Sequence, residues 1–191
     1  MKLKRILAAA LAGLALASLV GCGAASGKPA SSGSAAPKDY TQILHDARSE
    51  EDNEYYMIFS KGEDGKYTAQ YGYSESYEPD QLSDEVENML LPLLDLEEGS
   101  YTDFAASLST MMVQSYGVAV VKPAEGKTDA VVTSLKEYVL REQQSMEHYL
   151  EDQYQIAKNA KVETVPSGEV VLVCCEDSDT VLANIKAALA Q

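Results

Sequence analysis

The chain has 191 residues, enough for one domain with its own core, and 30 acidic side chains against 15 basic ones give it a formal charge of −15. That charge excludes nucleic acid as a partner, and with it anionic headgroups and anionic wall polymers, because phosphate repels a surface of its own sign. Three cysteines, two of them adjacent, are too few for a disulfide framework, so the fold has to rest on buried apolar surface.

The chain opens Met1-Lys2-Leu3-Lys4-Arg5 and continues as an apolar run from Ile6 to Val20. A basic head before a short apolar core reads as a secretory signal. A membrane-crossing helix needs roughly 20 apolar residues, and the flank that follows here is Gly, Ala, Ser and Pro. The run ends Leu19-Val20-Gly21-Cys22, which resembles the lipobox of bacterial lipoproteins. The resemblance implies a diacylglyceryl thioether on the Cys22 sulfur and cleavage just before it, with loss of residues 1–21. Two acyl chains anchor stably where one does not, at about 0.8 kcal/mol per buried methylene. The expected address is the extracytoplasmic face of the cell membrane, held there by the lipid on Cys22. The plainer alternative is an ordinary secretory signal in which Cys22 is incidental. The following "GAASGKPASSGSAAPK", Gly23 to Lys38, has nothing to bury. Residues 22–38 therefore read as lipidated cysteine plus flexible tether, and residues 39–191 as a single domain.

Asp39 is placed to cap a helix whose apolar positions are Tyr40, Ile43, Leu44 and Ala47, with the acidic stretch Ser49 to Asn53 ending it. Two tyrosine-rich runs, "EYYMIFS" and "KYTAQYGY", flank a turn containing Gly62, Asp64 and Gly65 and predict a β-hairpin. In the second run Tyr67, Ala69, Tyr71 and Tyr73 alternate with Lys66, Thr68, Gln70 and Gly72. Pro79 and Asp80 open a helix with Leu82, Val86, Met89, Leu90 and Leu93 inward, ended or kinked at Pro92. Residues 102–112 read equally as a strand or a helical turn, and Tyr116 to Val121 as a strand stopped by Pro123. A single helix is expected from Thr128 to Ala160, about 50 Å long at 1.5 Å per residue. Two strands follow, Val162 to Val165 and Glu169 to Cys175, joined through Pro166-Ser167-Gly168. The run Val170-Val171-Leu172-Val173-Cys174-Cys175 is apolar on both faces and so belongs inside a sheet. A last helix, capped by Asp177 or Ser178, turns Val181, Leu182, Ile185, Ala188 and Leu189 inward.

The order strand, helix, strand, strand, helix predicts an α+β fold, a mostly antiparallel sheet with the long helix and the C-terminal helix packed on it. The stretches "QSYGVAVVKPAEGKTDAV", "YLEDQYQIAKNAKVE" and "SGEVVLVCCEDSD" resemble an uncharacterised family of bacterial lipoproteins, catalogued as a domain of unknown function and typical of Gram-positive gut bacteria. The resemblance implies the architecture from Asp39 onward and carries no catalytic residues.

Each polar motif has a plain structural reading beside a chemical one. In a strand, neighbouring Cys174 and Cys175 point to opposite faces and cannot share a metal. His148 with Asp152, and His45 with Asp46, lack the third ligand of a zinc site. Asp177-Ser178-Asp179 suits a helix cap better than a cation loop. No nucleophile elbow, SxxK or phosphate loop is present, so no catalytic residue, metal or cofactor is expected. Half of the twelve tyrosines, Tyr55, Tyr56, Tyr67, Tyr71, Tyr73 and Tyr77, crowd one segment. Of these, Tyr67, Tyr71 and Tyr73 are the candidate ligand or partner surface, against cross-strand packing as the plain reading. The expectation is a non-enzymatic, membrane-anchored lipoprotein with a protein-binding or accessory role. A solute- or carbohydrate-binding lipoprotein using the tyrosine hairpin comes second, and a surface hydrolase with an unrecognised site third.

Overall fold

Strongly apolar strand sequences force a sheet that is covered on both faces. In the computed structural model, which describes residues 38–61, 65–74 and 78–191, six strands form one sheet. They are β1 (Ile58–Lys61), β2 (Tyr67–Gln70), β3 (Tyr101–Leu108), β4 (Gly117–Pro123), β5 (Lys161–Thr164) and β6 (Val170–Cys174), in the order β2-β1-β3-β4-β6-β5. Every neighbouring pair is antiparallel. Residues 1–37, with the expected signal segment, Cys22 and the expected tether, lie outside the described residues, as do Gly62, Asp64 and Tyr77.

The period of two assigns each strand residue to one of two cores. On one face Phe59, Phe104, Ala119, Val121, Leu172 and Cys174 pack under α3 (Pro79–Glu85), α4 (Leu91–Leu94), α5 (Thr128–Met146) and α6 (Glu151–Lys158). On the other, Ile58, Ala105, Val118, Val120, Val171, Val173 and Cys175 pack under α1 (Tyr40–Ala47) and α7 (Ser178–Leu189). The result is the expected α+β fold, as a helix–sheet–helix sandwich. Cys174 and Cys175 accordingly stand in different cores, both free and buried. Residues 101–108 are strand, which decides the open choice in that segment.

Four details differ from the sequence reading. Ser49 does not close a helix but opens one, α2 (Glu50–Tyr55), where its hydroxyl accepts from the Asp52 amide at 3.0 Å and the acidic residues meet the positive helix end. Tyr55 is therefore helical. The strand alternation stops at Gln70, because Tyr71 and Gly72 both adopt positive φ, 66° and 51°, and turn the chain. Between α3 and α4 a π-turn, Val86–Leu90, adds a residue just before Pro92, so Leu94 is buried and Leu93 faces out. Pro92 is absorbed, and the helix ends at Asp95 in the left-handed region.

The expected single helix over 128–160 is two. α5 ends at Met146, which is 2 % exposed, and Leu150, extended at φ −134°, starts α6. A straight helix would have carried Ile156 and Ala157 past the edge of the sheet. The break folds α6 back, where Gln143 donates to the Ala157 carbonyl at 3.1 Å and Ala157 becomes fully buried. His148 and Tyr149 sit in that break and face out, so His148 and Asp152 do not share a helical face. No helix among the described residues is long and apolar enough to cross a membrane.

The two ends of the sheet differ. The chain enters at Lys38, whose ammonium bonds the Leu189 carbonyl and lies 3.6 Å from the Glu169 carboxylate at the start of β6. The Tyr40 hydroxyl donates to the same carboxylate at 3.1 Å. From there α1 runs toward the opposite end of the strands, where β3 stops and β4 begins.

Candidate functional site

At that opposite end the loop from Ser109 to Tyr116 links β3 to β4, closed by the Ser109 amide on the Tyr116 carbonyl at 2.9 Å. Below it Arg48, the residue after α1, is buried with a relative exposure of 7 %. A buried guanidinium needs partners for all its N–H groups. Nη1 donates to the Ser107 hydroxyl at 2.6 Å and the Tyr116 hydroxyl at 3.1 Å. Nε and Nη2 donate to Asn53 Oδ1 at 3.1 and 2.6 Å, and Nη2 also to the Tyr56 carbonyl at 3.3 Å. All four acceptor residues are neutral. Asn53 in turn donates to the His45 carbonyl at 2.8 Å and accepts from the Gly72 amide at 3.0 Å. The Arg48 side chain thus ties the end of α1 to α2 and the β3–β4 hairpin, and the backbone carbonyl of Asn53 adds the β2 exit.

Around this centre opens a cleft of about 960 Å³. Its floor is aromatic: the Tyr56 and Tyr116 rings stack at 3.7 Å, 8° from parallel. Close approach at this point depends on Gly117, where a Cβ would lie 2.6 Å from the Tyr138 hydroxyl. That hydroxyl donates to the Tyr116 carbonyl at 2.9 Å and fixes the start of β4. The Gln153 side chain, from α6, accepts from the Ser115 amide at 2.9 Å and fixes the loop from the other side.

The walls are acidic and the mouth is apolar. Glu51 and Asp52 come from α2, Glu176 and Asp177 from the β6–α7 turn, and Glu85 from α3. Burial, above all, raises the Asp52 carboxyl above its ordinary range; Ser49 and Arg48 pull it down, and Glu51 and Glu176 add to the rise. Burial likewise raises the Tyr56 hydroxyl; the charges of Asp52, Glu51 and Glu176 add to the rise, and a hydrogen bond with Gln114 opposes it. Tyr55, Tyr73, Met111, Met112 and Val113 stand exposed at this end of the molecule, Met112 by 89 % and Tyr73 by 61 %.

Cys175 lines the cleft, but burial, followed by the charge of Asp52, pushes its thiol up to about 11, so at neutral pH it is protonated and a poor nucleophile. Neither histidine lines the cleft. His45 bonds Asp46 at 3.0 Å and stacks on Tyr71 at 4.0 Å. No group of three potential metal-ligating His, Cys, Asp or Glu side chains occurs among the described residues. Ser178 of the Asp177-Ser178-Asp179 run donates to the Cys175 carbonyl at 2.7 Å and so closes the turn into α7.

The three tyrosines singled out in the sequence do not share a surface. Tyr67 packs against the first core, 6.3 Å from the Phe104 ring, and borders a separate cavity of about 350 Å³. Tyr71, past the strand and in the left-handed region, lies against the second core. Tyr73 alone of the three lines the large cleft. Arg48, Tyr116 and the Met111–Val113 run escape a sequence reading. Arg48 is a lone cation before an acidic stretch, and its partners Ser107 and Tyr116 lie 59 and 68 residues away. The visible signal is three consecutive large apolar residues bounded by Thr110 and Gln114.

A family model described as a domain of unknown function (DUF4358) matches residues 73–176. No curated protein and no solved structure matches the chain.

Proposed function

Since the chain belongs to the DUF4358 family, whose description assigns no activity, we propose from the site itself that this is a non-enzymatic binding protein, moored by a lipid on Cys22 to the extracytoplasmic face of the membrane, and that it holds a partner protein at the Arg48 end of the sheet. One observation carries the reading. The exposed Tyr73 and Met111 border the cleft, with Met112 beside them, at the end of the strands opposite Lys38, where the chain enters the fold. Exposed aromatic and methionine side chains around a concave site are a composition suited to protein contact. A tether that joins at one end leaves the other end free to meet a partner. The carbohydrate-binding alternative has less support, because of Tyr67, Tyr71 and Tyr73 only the last lines the cleft.

Two measurements test the reading separately. Mass spectrometry of the mature protein should find Cys22 as the first residue and carrying a diacylglyceryl group; a bare thiol, or retention of residues 1–21, removes the anchor. A photo-crosslinker placed at Met112 in intact cells should trap one reproducible protein, whereas the same group at the exposed Glu125, beyond the other end of β4, should not. Equal trapping from both positions, or none from Met112, removes the binding site.

A further inference from the structure

The sheet ends on β5, and no strand among the described residues pairs with its outer side. The Val165 amide donates to the Glu169 carbonyl at 2.9 Å, which makes these two a hydrogen-bonded pair. Such pairs alternate along an antiparallel ladder. The register Lys161↔Val173, Val162↔Leu172, Glu163↔Val171 and Thr164↔Val170 therefore sends the backbone N–H and C=O groups of Lys161 and Glu163 to β6. Those of Val162 and Thr164 point outward, along an open edge.

The side chains on that edge are complementary to themselves. Lys161 and Glu163 share the α7 face, where Lys161 lies 3.2 Å from Asp179 and Glu163 lies 2.7 Å from Lys186. Neither is buried, so each has room for a second partner. Val162 is half-buried on the other face, with Ile156 and Ala160 against the same core. The chain as a whole carries −15, which opposes self-association, but here Lys158, Lys161 and Lys186 balance Glu163 and Asp179. Charges on an edge strand ordinarily discourage pairing. With opposite signs two residues apart, they discourage it in all registers but one. An antiparallel copy bonded with Val162 opposite Thr164 sets Glu163 against Glu163, and one with Val162 opposite Ala160 sets Lys161 against Lys161. With Thr164 opposite Thr164, Val162 faces Pro166, which has no N–H to donate. Only with Val162 opposite Val162 does Lys161 of each copy face Glu163 of the other.

We infer that two copies of this chain pair edge to edge through β5, antiparallel and centred on Val162, so that two six-stranded sheets become one. Across the seam the charges then alternate: Asp179 and Lys161 of one copy, Glu163 and Lys186 of the other, and the same row again by symmetry. The two Val162 side chains meet on the opposite face. No residue of β5 lines the cleft, and the inference stands apart from the binding reading above.

The test is disulfide trapping of the full chain in intact cells. Val162→Cys, oxidised with copper phenanthroline, should run as a dimer on a non-reducing gel, because facing residues of such a pair lie about 5.5 Å apart between Cα atoms, within disulfide reach. Thr164→Cys should not, since its counterpart is four residues along the strand, about 13 Å away. The unaltered chain sets the background from its three natural cysteines. Lys161→Glu and Glu163→Lys, each added to Val162→Cys, should each lower the dimer yield severalfold when expressed alone. Co-expression of the two should restore it, because each altered side chain then faces its opposite. The changes within each chain are the same alone and together, and melting curves show that each variant folds. No dimer from a folded Val162→Cys chain, an equal yield from Thr164→Cys, or no recovery on co-expression overturns the inference.

Discussion

Arg48 and Ser107 meet across 2.6 Å, although 59 residues separate them in the chain. The contact joins the end of α1 to β3, one of the two central strands of the sheet, under the loop that carries the exposed methionines. It makes the cleft a product of long-range structure, so its integrity can be tested through stability.

Arg48→Met should cost about 3 kcal/mol, because it leaves the Ser107 and Tyr116 hydroxyls and the Asn53 amide oxygen without their donor. Arg48→Lys should recover only part of that, since an ammonium cannot reproduce the planar fork. Urea unfolding is the measurement. A loss below about 1 kcal/mol for Arg48→Met would show that the guanidinium does not organise this end of the fold.

Gly117→Ala should destabilise by about 1–3 kcal/mol, since its new methyl meets both the Tyr138 hydroxyl and ring. Gly72→Ala should cost at least as much. There the added carbon meets the Met57 amide at 2.9 Å and the Tyr56 carbonyl carbon at 3.0 Å, backbone atoms that cannot swing away, and φ is positive. Combining Gly117→Ala with Tyr138→Phe should relieve part of the first penalty and none of the second. Additive losses from Gly117→Ala and Tyr138→Phe would contradict the packing described.

Two carboxylates should respond to pH with opposite signs. The raised Asp52 carboxyl means that its ionised form is disfavoured in the folded chain, so stability is lost as pH rises from the ordinary aspartate value through the folded one. Asp52→Asn should therefore stabilise at neutral pH, with a gain that fades in acid. Glu169 titrates below its ordinary value: burial pushes it up, but hydrogen bonds from Ser167, its own amide and Tyr40, with the Lys38 ammonium, outweigh that. Its contribution is present above the ordinary glutamate value and lost as pH falls through the folded one. Glu169→Gln should destabilise at neutral pH and cease to matter in acid. Urea midpoints measured across that range check both, and matching signs would refute the pair.

The two domain thiols should be inert in the folded state. Burial raises both, Cys175 to about 11 and Cys174 further, and they point into different cores. In a Cys22→Ser variant, a thiol reagent at neutral pH should react only as fast as the chain unfolds. Immediate modification of either residue in the native protein would contradict the burial described.

What the sequence revealed, and what it withheld, follows from the range of the interactions. β6 was legible because Val170 to Cys174 is apolar without alternation, and such a run survives only when both faces are covered. The Asp39 cap and the turn before Glu169 were legible because each is closed by atoms a few residues apart. The division between α5 and α6 was not, since Tyr149 and Leu150 continue the apolar stripe and only the limited length of the sheet makes folding back favourable. Nor was the shift from Leu93 to Leu94, which a single widened turn produces. The cleft was least legible of all. Its parts come from α1, α2, α3, α6, α7 and two loops, and the positive φ of Tyr71, which separates the tyrosines, is unusual for a residue with a side chain.

The fastening at Lys38 has a mechanical consequence. A pull on the segment before it meets the Lys38 and Tyr40 contacts with Glu169 before it reaches the body of α1. The arrangement works like a clamp on a cable where it enters a housing: tension stops at the collar. A load applied at residue 38 would therefore be met at the start of β6 before it reached the far tip of that helix.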